Sequence, residues 1–171
     1  MELANVLRNR FSVRKYKSTP IGDAKLNTIL EAGRIAPTAA NHQCQRVFVL
    51  KSDESIRKIR SITKCAFDAP IVLMIGYDKN EQWENPFESG VTSGEQDASI
   101  VAMQMMLKAW DLGIGSCWVN YFPPTETAKA FDIPDNVRIV LLLTLGYADD
   151  GVRPAALHSQ KKALEETVTT L

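Results

Sequence analysis

Apolar residues recur every three or four positions in several parts of this chain, which is the spacing of an amphipathic helix. The first example lies at the start, where Leu3, Leu7 and Phe11 are four residues apart. Asp23 is placed to cap a second helix, and Pro37 lies beyond its end. The pattern predicts helices over residues 2–11, 23–36, 52–64, 97–112, 125–131 and 161–168.

Short runs of β-branched and aliphatic residues between these helices predict buried strands. The predicted strands cover residues 47–50, 71–75 and 138–145. Because they come singly between helices, the pattern favours an α/β or α+β domain whose sheet is covered by helices. Polar residues dominate 37–43 and 79–96, which we interpret as loops. The second loop is long enough to predict a cover over a substrate, shaped by Trp83, Phe87 and Glu95.

The longest predicted helix, residues 97–112, is apolar around most of its circumference. Ile100, Met103, Leu107 and Trp110 form one stripe on it, and its methionines are interpreted as core or interface residues. A chain of 171 residues has limited core in which to bury such a helix on every side. The pattern therefore predicts that a second copy of the chain covers part of it.

Composition and charge exclude several classes of protein. The 20 Lys and Arg residues balance 20 Asp and Glu residues, which gives no electrostatic argument for binding nucleic acid or an anionic membrane. The hydrophobic fraction of 45% fits one domain over residues 1–171. Cys44, Cys65 and Cys117 form no C-x-x-C motif, and the longest apolar runs are too short to span a bilayer. We therefore expect a cytoplasmic protein without disulfides.

Common catalytic motifs are missing from the sequence. There is no G-x-x-x-x-G-K-[ST], H-E-x-x-H or G-x-S-x-G motif, and two histidines are too few for a multi-histidine metal site. Gly113 and Gly115 begin like a dinucleotide-binding motif, but Trp118 stands where the third glycine belongs. We predict neither a Rossmann site nor a metal site.

A set of segments spread through the chain keeps a recognisable order and spacing. They are residues 10–16, 36–43, 97–100, 107–118, 145–147 and 158–166. Together they resemble the nitroreductase family of flavin enzymes. The resemblance implies an α+β, nitroreductase-like three-layer fold with a mainly antiparallel central sheet surrounded by helices. It also implies FMN as cofactor and an intertwined homodimer whose two sites are each built from both subunits.

The resemblance assigns the FMN phosphate to Arg10, Ser12, Arg14 and Lys161, where Lys161 replaces the family's usual arginine. The chemistry fits, because guanidinium groups bind phosphate bidentately and hydroxyl groups donate to it. The alternative interpretation is that these cations simply solvate the surface.

The resemblance assigns the rest of the flavin to two further segments. Pro37, Thr38, Asn41 and Gln43 come from the first loop, where the amides would bind the ribityl hydroxyls and the ring edge. In this loop Cys44 and Gln45 replace the family's usual proline and aromatic residue.

The second segment is Cys117, Trp118, Val119 and Asn120, whose backbone would lie along the flavin ring with an N–H toward N5. The alternative for Trp118 and Tyr121 is core packing. The alternative for Cys44 and Cys117 is that each is a small buried hydrophobic residue.

The resemblance implies hydride transfer from NAD(P)H through flavin N5 to an electron-poor acceptor such as a nitroaromatic or a quinone. Since the flavin carries the chemistry, no catalytic acid or base is predicted. Two other functions stay open at this point. One is a non-catalytic FMN-binding or storage dimer, and the other is a thiol peroxidase that uses Cys44.

Overall fold

The computed structural model describes residues 2–171 and is built around a four-stranded sheet. The strands are β1 Gln45–Leu50, β2 Ile71–Asp78, β3 Gly115–Val119 and β4 Val137–Gly146. Their spatial order is β1-β2-β4-β3, and every neighbouring pair is antiparallel. The predicted antiparallel character of the sheet is therefore confirmed.

Helices cover both faces of this sheet. They are α1 Leu3–Asn9, α2 Asp23–Arg34, α3 Asp53–Ile62, α4 Gly94–Asp111 and α5 Pro124–Ala130. Short 3-10 turns lie at Ala39–Asn41, Lys64–Ala66, Ala156–Ser159 and Leu164–Glu166. No helix among residues 2–171 combines the length and the apolar character needed to cross a bilayer.

Alternation along β2 divides the core into two layers. Leu73 and Ile75 face the layer that contains α2 and α4, whereas Val72 and Met74 face the layer of α3 and α5. All eight residues of β2 are buried, which explains its continuous apolar sequence. The predicted α+β fold of three layers is confirmed.

A β-bulge interrupts the pairing of β2 with β4 between Ile75 and Gly76. A Cβ atom at Gly76 would overlap the carbonyl oxygen of Arg138 on β4. Glycine is therefore required here, because the two backbones approach too closely for any side chain.

The predicted apolar stripe on α4 is only partly covered within one chain. The buried face of α4 carries Ala98, Val101, Ala102, Met105 and Ala109. Of the stripe, Leu107 and Trp110 are half-buried, whereas Ile100 and Met103 are 41% and 44% exposed. Small side chains allow the close approach of α2 and α4, where Gly33 of α2 lies against Met105.

The first helix also differs from its prediction. It ends at Asn9, and it buries Val6 while Leu3 and Leu7 remain exposed. In α2, Gly22 occupies the N-cap position and Asp23 is the first helical residue. The charge of Asp23 is still favourable in the first turn because of the helix dipole.

Two elements were predicted wrongly. The strand β3 was not predicted, since its Gly115, Ser116 and Cys117 carry no strand signal, and its pairing with β4 supplies the missing stability. The helix predicted over 161–168 is only the turn Leu164–Glu166. Its apolar side chains are exposed, and a short helix without tertiary packing is marginal.

Candidate functional site

An extended segment after α1 runs beside β3 and carries the predicted phosphate ligands. The N–H of Val13 donates to the Ser116 carbonyl at 2.9 Å, and Ser12 forms a parallel bridge with Ser116. The Tyr16 hydroxyl, bonded to the Val13 carbonyl at 2.6 Å, fixes the same segment from below. These contacts hold the segment against the edge of the sheet.

Arg10, Ser12 and Arg14 lie close enough to the thiol of Cys117 to affect its ionisation. Burial raises the pKa of this thiol, and the charge of Arg14, the Ser12 hydroxyl and the charge of Arg10 oppose part of the rise. Neither arginine has an ion pair or a side-chain hydrogen bond within residues 2–171. The structure therefore brings two free guanidinium groups and a hydroxyl to one end of β3.

A buried hydroxyl without a partner lies on the side of β3 opposite Cys117, because side chains alternate along a strand. The Oγ of Ser116 is inaccessible to solvent and accepts or donates no hydrogen bond within the described part of the chain. A buried polar group normally has a partner, and Ser116 is one of three exceptions in the described chain, with Gln45 and Gln82.

Lys161 lies in the C-terminal segment and has a different environment. Its Nζ donates to the His158 carbonyl at 2.6 Å, and the His158 ring lies 6.3 Å from the Phe11 ring. The tail therefore passes near residue 11, but Lys161 itself makes no hydrogen bond to Arg10, Ser12 or Arg14 in the described chain. Its phosphate role stays a prediction.

The loop that follows Pro37 has a strained backbone. Ala40, Asn41 and Gln43 have φ values of 46°, 59° and 52°, in the left-handed region. Each non-glycine residue held in this region costs about 1–3 kcal/mol of conformational free energy. Within the loop, the Gln43 N–H donates to Thr38 Oγ1 at 3.0 Å, while the amides of Asn41 and Gln43 are exposed.

Asp97, a buried residue in the first turn of α4, holds this loop through both of its carboxylate oxygens. Its Oδ1 accepts the Ala39 N–H at 2.9 Å, and its Oδ2 accepts the Ser93 hydroxyl at 2.7 Å. The Cys44 thiol also lies 3.5 Å from Oδ2. From the sequence, Asp97 was noted only within a segment that resembles the family. No local pattern indicates its role, because α4 also carries the charged residues Glu95, Lys108 and Asp111.

The same contact decides the state of Cys44, which is fully buried. Burial and then the charge of Asp97 raise the pKa of this thiol to about 11. The thiolate is the nucleophilic form, so the site withholds the reactive species at neutral pH. The geometry therefore argues against a peroxidase that uses Cys44.

The residues of β3 divide between two sides of the sheet. Cys117 and Val119 are buried in the layer of α3 and α5. Trp118 is half-buried on the other side, and its Nε1 donates to Asn120 Oδ1 at 2.7 Å. It borders an open cavity of about 420 Å³ with Met103 and Leu107 of α4. Core packing was wrong for Tyr121, which is 82% exposed.

The loop before α4 forms a small hairpin. Its base is closed by two bonds between Ser93 and Trp83, with the Ser93 N–H at 3.0 Å from the Trp83 carbonyl and the Trp83 N–H at 3.2 Å from Ser93 Oγ. Phe87 near the tip is 95% exposed. Glu95 lies outside the hairpin and pairs with Arg138 at 2.9 Å.

These features form two separate groups within one chain. One group is the segment 10–14 with Cys117, and the other is the loop 37–44 with Asp97. Among residues 2–171, no hydrogen bond or ion pair joins them. The structure brings the members of each group together but not the two groups.

The sequence model of the nitroreductase family matches residues 7–68 and 61–147. A relative from Archaeoglobus fulgidus, provisionally named NADH dehydrogenase/NAD(P)H nitroreductase, is 28% identical over 94% of this chain and 98% of its own length.

Two solved structures extend this comparison. A nitroreductase family protein from Clostridium difficile 630 is 34% identical, with a TM-score of 0.91 and all of both chains covered. A protein from Exiguobacterium sibiricum, provisionally described as a nitroreductase and solved in complex with FMN, has 20% identity and a TM-score of 0.84, covering 100% of this chain and 98% of its own. That likeness shows the fold alone. On the matched segments and the relatives together, the chain belongs to the nitroreductase family.

Proposed function

We propose that this protein is an FMN-dependent oxidoreductase that uses NAD(P)H to reduce an electron-poor acceptor such as a nitroaromatic or a quinone. The observation that carries the proposal is the pair of guanidinium groups, Arg10 and Arg14, beside the Ser12 hydroxyl and without counter-ions within residues 2–171. Family membership and the NAD(P)H nitroreductase name of the Archaeoglobus relative support it.

The residues at the end of β3 fit a phosphate monoester. Charge-assisted hydrogen bonds from guanidinium groups are about twice as strong as neutral ones, and each planar fork can bind two phosphate oxygens. Ser12 adds a neutral donor, and Lys161 would add a point charge if the tail moves. Arg10 is half-buried, so a bound anion would be partly shielded from solvent.

The loop 37–44 fits the remainder of the cofactor. Thr38 and Pro37 shape its start, and the exposed amides of Asn41 and Gln43 offer donors and acceptors to ribityl hydroxyls and a ring edge. Because the loop is already fixed in its strained conformation, it loses little entropy when a ligand binds. Trp118, Val119 and Asn120 would supply the backbone along the ring.

When bound, FMN would supply the two-electron redox chemistry between NAD(P)H and the acceptor. The chain's own residues bind and orient the reactants, and we assign no general acid or base. The hairpin of residues 83–93 would limit the access of the acceptor to the flavin. Trp83 lies at its base and Phe87 near its tip.

We also propose that the active form is a homodimer whose sites combine both subunits. Apolar side chains lie exposed on α4, on α1 and in the tail: Ile100, Met103, Leu3, Leu7, Leu157 and Leu164. A second copy of the chain would cover this surface. The second copy would also bring the phosphate-binding segment 10–14 of one subunit to the loop 37–44 of the other. Within one chain these two segments are not joined.

A visible spectrum of the purified protein tests the proposal. We expect bound flavin that loses its absorbance with NADPH or NADH under anaerobic conditions and recovers it when a quinone is added. Arg14→Ala should purify with little FMN, since losing one charged partner costs about 2–5 kcal/mol. A yellow protein that NAD(P)H does not bleach would indicate storage. A colourless protein that consumes peroxide through Cys44 would contradict the proposal.

A further inference from the structure

We propose that Asp97 is a positioning residue for the flavin, because it holds the loop 38–44 in its binding conformation. The inference rests on the proposed function and assigns a role to a side chain outside the predicted ligand set. Asp97 is 2% exposed, and donors from Ala39, Cys44 and Ser93 meet at its two carboxylate oxygens.

Three donors approach the carboxylate of Asp97. The Ala39 N–H comes from the loop and donates to Oδ1 at 2.9 Å. The Ser93 hydroxyl and the Cys44 thiol approach Oδ2 at 2.7 Å and 3.5 Å. The carboxylate has no ion pair with a cation in residues 2–171, so these donors and the first turn of α4 compensate its charge.

The backbone of this loop is strained at three residues. Ala40, Asn41 and Gln43 stay in the left-handed region only if their surroundings hold them there. Asp97 holds the chain at Ala39, before these residues, and at Cys44, after them. Both ends of the strained stretch are therefore fixed to one side chain, and the exposed amides of Asn41 and Gln43 are presented in a defined orientation.

Ser93 links the loop to the hairpin. Ser93 donates to Asp97 and accepts the Trp83 N–H at 3.2 Å, so the base of the hairpin is fixed to the same carboxylate. The loop and the hairpin therefore keep one relative position. A weaker hold at Asp97 would loosen both.

This geometry separates the role of Asp97 from that of the phosphate ligands. The loop would contact the ribityl and ring part, which FMN and riboflavin share, whereas Arg14 would contact the phosphate, which riboflavin lacks. A change at Asp97 should therefore weaken the binding of FMN and of riboflavin by the same factor. A change at Arg14 should weaken the binding of FMN only.

The experiment measures the Kd of the flavin-free full-length protein for FMN and for riboflavin by quenching of flavin fluorescence. We expect Asp97→Ala to raise both values about tenfold or more, which corresponds to about 1.4 kcal/mol per tenfold. Asp97→Asn should raise both about threefold, because its amide oxygen can still accept the Ala39 N–H in a weaker, neutral bond. This partial rescue would not follow from a general loss of stability.

The control is Asp23→Asn, which removes an exposed carboxylate from the first turn of α2. Its ion pair with Lys51 lies at the surface, so both Kd values should stay within about twofold of wild type. Hydrogen exchange gives a second readout, since the Ala39 amide should exchange faster in Asp97→Asn and not in Asp23→Asn.

Each outcome separates the alternatives. A folded Asp97→Ala protein that binds both flavins like wild type overturns the inference, as does a loss of affinity for FMN alone. If Asp97→Ala does not fold, Asp97→Asn carries the test, and unchanged affinities with unchanged exchange at Ala39 overturn it. A wild-type protein that binds neither flavin overturns the proposed function instead.

Discussion

The thiol of Cys44 is buried where the loop 37–43 enters β1, and its Sγ lies 3.5 Å from Asp97 Oδ2. Burial, and then the neighbouring carboxylate, raise its pKa to about 11. At this position the surroundings keep the proton on the sulfur. The residue therefore acts as a small apolar side chain with a weak donor.

The raised pKa of Cys44 predicts a dependence of stability on pH. Below the pKa of the unfolded thiol, both states hold the proton and the folded state keeps its full advantage. As the pH rises toward about 11, the unfolded thiol ionises first, so the free energy of unfolding falls by about 2–3 kcal/mol. Urea titrations between pH 8 and 11 should show this fall in wild type.

The control for this prediction is Cys44→Ser, which keeps a donor toward Asp97 and does not titrate in that range. Its free energy of unfolding should fall less over the same interval than that of wild type. Equal slopes for the two proteins would mean that the Cys44 thiol ionises normally in the folded state.

The candidate site could be predicted from the sequence only in part. Arg10, Ser12 and Arg14 lie within five residues, so their proximity was visible from their spacing and their resemblance to a family. Two of the three partners of Asp97, Ala39 and Cys44, lie 58 and 53 positions earlier in the chain. Such contacts depend on how α4 packs, and no local pattern contains them.

At the scale of elements, the strands that are buried on both faces were predicted correctly, because burial requires a continuous run of apolar residues. β2 and β4 are buried on both faces, and their continuous aliphatic residues give a strong signal. β3 is short and lacks a run of β-branched residues, and its stability comes from pairing with β4. On α4, the apolar character was visible in the sequence, but the prevalence of small residues on its buried face was not predicted.

The bulge in β2 predicts a large effect of adding one methyl group. Gly76→Ala would place a Cβ atom against the Arg138 carbonyl oxygen, and a backbone atom cannot move aside as a side chain can. We expect a loss of stability of about 2–4 kcal/mol or a failure to fold. Thermal unfolding measures it.

Gly22→Ala is the matched control, since a Cβ there meets nothing within 4 Å and φ is −64°. Its cost should stay below about 1 kcal/mol, the loss expected at an N-cap position. Similar losses in the two variants would contradict the role of close contact at Gly76.

At the scale of the whole molecule, one chain leaves an apolar surface open. It includes α4, α1 and the tail, where Leu157 and Leu164 are 73% and 70% exposed. Trp118 and Met103 line an open cavity of about 420 Å³ on the same side. The proposed dimer would bury this surface.

A charge at this surface should break the proposed dimer. Met103→Asp would bury an unpaired carboxylate, which costs several kcal/mol, so the dimer should dissociate at least about tenfold more readily. Sedimentation with absorbance detection should show monomers that have also lost FMN. Thr125→Asp, at an exposed position on α5, is the control and should remain dimeric. A monomeric wild-type protein with bound flavin would contradict the shared site.

The separation of the segment 10–14 from the loop 37–44 has a consequence for mixtures of subunits. If each site takes its phosphate ligands from one subunit and its loop from the other, two differently damaged copies can complement each other. A subunit that lacks Arg14 and one that lacks Asn41 would form a mixed dimer in which both defects fall in one site. The other site would then be assembled entirely from intact parts.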